Sequence, residues 1–99
     1  MTDSNHSKLT LSVLIPVRNE GLNVAIMLKF LRAILEVPHE VLIVYDDPTD
    51  TTLPAVKALE SSYPNTRAVF NNLGLGVANA IRTGVTHSQG EYILIFAAD

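Results

Sequence analysis

Three apolar runs in this chain each pass directly into an acidic turn: LSVLIPVRNE, EVLIVYDDPTD and EYILIFAAD, the last ending on Asp99. The segments Leu11–Ile15, Glu40–Tyr45 and Tyr92–Phe96 are nearly continuous in Val, Ile and Leu. Unbroken rather than alternating runs predict strands covered on both faces, as parallel sheets are. Arg67–Phe70 is a shorter strand candidate between the second and the last. Helical patterning fills the intervals. Gly21–Leu35 is apolar almost all round, with Lys29, Arg32 and Glu36 as a narrow polar stripe, which predicts a well-buried helix. Pro54–Tyr63 has Thr51 or Thr52 as N-cap, Pro54 in its first turn, and Leu53, Val56, Leu59 and Tyr63 as an inward face. Val77–Ser88 sets Val77, Ile81, Val85 and Ser88 on one side, with Gly90 closing it near C′.

Strands alternating with helices, joined by crossovers of a dozen or more residues, predict an α/β fold: a doubly wound, mostly parallel sheet with right-handed connections. Ligands of such sheets bind beyond the carboxyl ends of the strands. The acidic turns therefore fall where a nucleotide and its cation would sit. No repeat, low-complexity stretch or linker divides the chain. Residues 1–9 are expected to form a flexible tail, and residues 10–99 a nucleotide-binding half-domain truncated at its last acidic turn.

Composition narrows the classes. Ninety-nine residues make about one small domain. A charged content of 17% is low beside 47% apolar residues, which predicts apolar surface meant to be covered by further chain. The net charge of −3, with no Lys/Arg cluster, excludes a broad nucleic-acid surface. Absence of cysteine removes disulfides and thiolate metal sites. The opening MTDSNHSK has no apolar core of a signal peptide, and no run approaches a membrane span. The expected location is cytoplasmic, with membrane association of a longer parent left open.

Candidate chemistry lies in the turns after the strands. In Pro16-Val17-Arg18-Asn19-Glu20-Gly21, Asn19 can cap the next helix with Glu20 in its first turn, while Arg18 and Glu20 can reach a base, ribose or phosphate. The glycines of a dinucleotide fingerprint are missing there, which argues against a dehydrogenase. In the second turn, Asp46 stands directly beyond the strand, where a carboxylate can accept from a base N–H or a ribose hydroxyl. Asp47 adjoins it. Asp50 suits a structural role, accepting backbone N–H bonds before the helix. Gly74 and Gly76 precede the third helix, where backbone can approach a phosphate closely, although a tight loop explains them equally. Asp99 could hold Mg²⁺ together with a diphosphate, since that ion commonly takes one or two protein carboxylates. His6, His39 and His87 show no metal-ligand spacing.

Taken together, SVLIPVRNE, EVLIVYDDPTDTT, GLGVANAIRTG with Asn72 before it, and GEYILIFAAD resemble the family 2 glycosyltransferases. The likeness extends over about residues 10–99 and lies near the polyprenyl- and dolichyl-phosphate mannosyl- or glucosyltransferases. It implies the Rossmann-like N-terminal half of a glycosyltransferase A-type fold. It further implies a GDP- or UDP-sugar donor, a polyprenyl phosphate or other acceptor, Mg²⁺ or Mn²⁺ assistance and inverting transfer of a hexose. Asp46 matches the family's base-binding aspartate, with Pro16, Arg18 and Glu20 lining the same pocket and Asp47 beside it. Gly74 and Gly76 match its glycine loop. Ala98 stands inside the metal motif, of which Asp99 is the second acid and Ala97 replaces the first. Tyr45 replaces the first acid of the Asp-Asp pair unless Asp46 and Asp47 form it.

Three other readings compete. A phosphoacceptor receiver domain would need paired acids after the first strand and an aspartate after the third, where Asn71-Asn72 stands. A sugar-phosphate nucleotidyltransferase would need a Gly-rich loop in place of PVRNEG. A non-catalytic nucleotide-binding module differs from the enzyme only in the chain beyond Asp99.

Overall fold

The computed structural model describes residues 9–96. In chain order it contains β1 (Leu9–Pro16), α1 (Gly21–Ile34), β2 (His39–Tyr45), α2 (Thr52–Leu59), β3 (Thr66–Phe70), α3 (Val77–His87) and β4 (Gly90–Ile95). The four strands form one parallel sheet in the order β3-β2-β1-β4. The chain steps outward from β1 to β3, then returns across the sheet to lay β4 on the other side of β1. That reversal is the switch point at which α/β sheets open a binding crevice.

Side chains alternate across the pleat, and both faces of the central strands β1 and β2 are covered. Val13, Ile15, Val41 and Ile43 pack with Val24, Met27, Leu28 and Leu31 of α1, Val56 of α2 and Tyr63. Leu14, Leu42, Val44 and Val69 face the other way, against Ala80 of α3. Each buried aliphatic side chain contributes about 1.5–3 kcal/mol of transfer free energy. The unbroken apolar runs of β1 and β2 follow from this two-sided burial, and the fold is the doubly wound α/β class expected from the pattern.

Several local expectations change. β1 begins at Leu9, which pairs with Gly90, so Leu9 belongs to the sheet and not to the tail. Pro16 does not end the ladder: it pairs with Val44, and Val17 N–H donates to Val44 O at 3.0 Å. α1 is half covered, because only its Val24–Leu31 face meets the sheet, while Leu22, Ile26, Phe30 and Ile34 form an exposed stripe. α2 stops at Leu59, short of Tyr63. α3 turns inward Ala80, Thr83 and Gly84, the small residues that allow close approach to β1, and leaves Val77 and Val85 outside. Gly90 opens β4 instead of capping α3, and a Cβ there would lie 2.5 Å from Ser12 N. β4 is an edge strand whose Tyr92–Ile95 side chains are exposed among the described residues, against the expectation of two-sided cover.

The amino ends of the strands are joined by a buried carboxylate. Glu40 Oε2 accepts from Ser12 Oγ and from Gln89 N, both at 2.6 Å, and Oε1 accepts from Arg67 Nη1 at 3.2 Å. Ser12 Oγ in turn accepts from Gly90 N at 2.8 Å. The α3–β4 junction is thereby fastened to β1 and β2 at the end of the sheet remote from the acidic turns.

Candidate functional site

Beyond the carboxyl ends of β1, β2 and β4 lies a cleft of about 410 Å³. Pro16, Arg18 and Glu20 reach it from the β1–α1 turn, Asp46 from the end of β2, and Gly76 from the start of α3. Val17, Val44, Val77, Ala80 and Ile95 supply its apolar lining. The arrangement gives an apolar floor with polar groups around the rim, which is the usual make-up of a small-molecule site.

Two loops are clamped together beside this cleft. Asp50, buried, accepts at Oδ1 from Asn19 N at 3.0 Å and from Thr52 N at 2.8 Å. Thr52 Oγ1 accepts from Glu20 N at 2.8 Å, and Asn19 Oδ1 accepts from Thr51 N at 3.1 Å. Asp50 thus has the structural role read from the sequence. Asn19 does not cap α1. It adopts φ 55°, in the left-handed region that Asn tolerates, and its side chain serves the neighbouring turn. Glu20 occupies the N-cap position itself, with its Oε1 accepting from Asn23 Nδ2 at 3.0 Å.

The charged groups differ in setting. The side chain of Asp46 is only 12% exposed and stands 3.8 Å from the Arg18 guanidinium, which is 67% exposed. An exposed partner at that distance contributes little stability. Asp47 does not line the cleft. Its Oδ1 accepts from Thr49 N at 2.9 Å and Thr49 Oγ1 at 2.8 Å, which shapes the turn. The backbone Thr49 bond, followed by the Thr49 hydroxyl, holds the Asp47 carboxyl below the usual aspartate range.

The glycine loop is built from Asn71. Buried at the end of β3, Asn71 accepts at Oδ1 from Leu73 N at 3.0 Å and Thr83 Oγ1 at 2.9 Å, and donates from Nδ2 to Gly74 O at 2.8 Å. Gly74 and Gly76 have φ of 119° and 113°, a conformation that side-chain-bearing residues rarely adopt. Gly76 lines the cleft; Gly74 does not, its carbonyl being held by Asn71. No acidic residue occupies the first turn of α3, so its positive end is not neutralised and favours an anion. Ala98 and Asp99 lie outside the described residues. Sequence reasoning missed the Asn71–Thr83 pair, for which an Asn at a strand end before a glycine loop is the available signal. Among the described residues no three His, Cys, Asp or Glu side chains converge as a metal site, and no helix is long and apolar enough to cross a membrane.

Comparison with known proteins gives a consistent picture. Residues 12–99 match the sequence profile of glycosyl transferase family 2. CsbB of Bacillus subtilis (strain 168), named as a proposed glycosyltransferase, is 29% identical over 92 residues, covering 90% of this chain and 28% of its own. The mannosyltransferase PcManGT from Pyrobaculum calidifontis, solved with GDP-Man and Mn²⁺, superposes with a TM-score of 0.79 at 27% identity, over 93% of this chain and 28% of that one. Glucosyl-3-phosphoglycerate synthase from Mycobacterium tuberculosis, solved with Mn²⁺, UDP and glucosyl-3-phosphoglycerate, has a TM-score of 0.74 at 16% identity, over 98% and 36% of the two chains. That last likeness concerns the fold alone. The chain spans less than a third of the length of CsbB and of the mannosyltransferase.

Proposed function

Because this chain belongs to glycosyl transferase family 2, we propose that the cleft beyond β1, β2 and β4 binds the nucleoside diphosphate of a GDP- or UDP-sugar. The observation that carries this reading is the convergence of Pro16, Arg18, Glu20, Asp46 and Gly76, from three separate turns, on one cleft at the switch point. The GDP-Man held by the mannosyltransferase supports the same ligand class.

The roles follow from the chemistry of each group. Asp46, largely shielded from water, accepts from a base N–H or a ribose hydroxyl. Arg18 swings from Asp46 toward ligand oxygen, and Glu20 borders the ribose. The unneutralised start of α3 faces the diphosphate, with Gly76 letting backbone approach it. Charge grows on that diphosphate as the glycosidic bond breaks, so fixed donors beside it stabilise the departing group more than the ground state. A hexose would pass with inversion to an acceptor oxygen, a polyprenyl phosphate being one whose anionic oxygen needs little help from a base. No described residue is assigned as general base, and the residues of this chain alone are expected to bind donor without completing transfer.

A divalent cation, Mg²⁺ or Mn²⁺, would neutralise charge on the leaving diphosphate when bound. The described side chains do not form a site for it by themselves: of the two carboxylates lining the cleft among them, Asp46 stands 3.8 Å from the Arg18 guanidinium and Glu20 Oε1 accepts from Asn23 Nδ2. The Mn²⁺ in the mannosyltransferase complex supports the use of such a cation, and Asp99, which lies outside the described residues, is the residue proposed to hold it.

Calorimetric titration of the chain with GDP, UDP and ADP, each with and without Mn²⁺, tests the proposal. Saturable binding of GDP or UDP is expected. Absence of heat for all three nucleotides, at concentrations up to the solubility of the protein, would remove the nucleotide site.

A further inference from the structure

We propose that Asn71 and Thr83 are positioning residues, which hold the loop from Asn72 to Gly76 in the shape that brings the start of α3 to the cleft. The inference rests on the nucleotide reading above and adds residues that touch no ligand. Thr83 lies on the buried side of α3, and its hydroxyl donates to Asn71 Oδ1 at 2.9 Å. A mid-helix Thr ordinarily bonds back to the carbonyl one turn earlier; here it reaches across to the end of β3 instead. Asn71 distributes that tie into the loop through Leu73 N and Gly74 O, at 3.0 and 2.8 Å. Its own N–H donates to Tyr45 O at 2.7 Å, which fixes Asn71 one residue from Asp46 across the sheet.

The consequence is geometric. Leu73 and Leu75 are exposed and give the loop no apolar anchor. Gly74 and Gly76, with φ of 119° and 113°, allow it many shapes. The single amide of Asn71, clamped from the helix by Thr83, selects one of them. In that shape Gly76, Val77 and Ala80 line the cleft. Loosening the clamp therefore weakens contacts to the diphosphate, which lies against α3. Contacts to the nucleoside, assigned to Asp46, are spared.

The test compares Thr83→Val, which keeps shape and removes the hydroxyl, with Thr83→Ser, which retains it. Asn71→Asp, which loses the donor to Gly74 O, is a third variant. In Thr83→Val, exchange of the Leu73 amide is expected to quicken about tenfold, in line with one lost hydrogen bond; in Asn71→Asp, whose Oδ1 still accepts from Leu73 N, it is not. In both variants GDP or UDP affinity is expected to fall about tenfold, in line with one lost hydrogen bond. Guanosine or uridine affinity is expected to stay within about twofold, as is every property of Thr83→Ser. Unchanged Leu73 exchange in Thr83→Val, or equal losses for nucleoside and diphosphate in either variant, would overturn the positioning role. If the unaltered chain binds neither nucleotide, the nucleotide reading fails and the ligand part of this proposal with it, whereas Leu73 exchange still decides whether the pair holds the loop.

Discussion

The backbone N–H of Asn19 donates to Asp50 Oδ1 at 3.0 Å across thirty-one positions of sequence. The same oxygen accepts from Thr52 N at the start of α2. One buried carboxylate oxygen therefore fixes the turn that carries Arg18 and Glu20 against the turn that begins at Asp46. Asp50→Ala leaves both N–H groups without their acceptor and is expected to cost about 1.5–3 kcal/mol, the range for hydrogen bonds to a charged group. Urea unfolding checks this, and a midpoint equal to that of the unaltered chain would show that the clamp contributes nothing.

Asp46 should behave in the opposite way. It accepts from no protein donor within hydrogen-bond distance among the described residues, and its Arg18 partner is largely in water. Asp46→Ala is expected to leave the unfolding midpoint nearly unchanged while weakening nucleoside diphosphate binding by about 1–3 kcal/mol. Calorimetry showing full affinity in the variant would take Asp46 out of the site.

Glu40 gives the reverse pattern. Its carboxylate is buried and meets Ser12, Gln89 N and Arg67 at the amino ends of the strands. Glu40→Ala is expected to destabilise the fold by about 3 kcal/mol. Arg67→Ala should cost less, because Arg67 is 44% exposed and water screens its share of the pair. Neither change should alter nucleotide affinity in protein that remains folded, and a selective loss of binding in Arg67→Ala would contradict the remoteness of this cluster.

The acid side of the stability profile carries a signature of Asp47. Its carboxyl titrates below the ordinary aspartate value in the folded chain because the Thr49 backbone and hydroxyl bonds favour the ionised form. A depressed folded value means the contribution is present above the unfolded-state value and disappears as pH falls through the folded one. Carboxyl NMR titration should place Asp47 lower in the folded chain than in urea. In Thr49→Ala, which keeps the backbone bond and removes the hydroxyl, the value should rise part of the way back. Identical folded and unfolded titrations would contradict the turn geometry.

Some of this was readable from residues alone, and the reasons differ by element. β1 and β2 declared themselves because burial on both faces demands unbroken Val, Leu and Ile. Arg18, Glu20 and Asp46 were readable as neighbours because parallel strands deliver their carboxyl ends to one side of a sheet. α3 misled because hydrophobic size pointed to Val77, Ile81 and Val85, whereas tight packing on Leu14 requires Ala80, Thr83 and Gly84 inside. α1 misled for the related reason that an apolar stripe need not be covered by the described residues, as Leu22 and Ile26 show. Asn71 and Glu40 were opaque, since each acquires its role from partners at a distance, Thr83 twelve positions on and Gln89 forty-nine positions on. Asp47 and Gly74 sit beside functional-looking neighbours, but local hydrogen bonding occupies them in their turns.

The sheet order has a bearing on when the cleft can first exist. Ile95 walls it on one side, and β4 reaches its place only by docking beside β1, joining Gly90 to Leu9 across nearly the whole described chain. During synthesis from the amino end, β1, β2 and β3 can assemble while the fourth wall is still unmade. A nucleotide that needs all the walls would thus recognise only the finished sheet, and its binding energy would be added to the closure of the last strand.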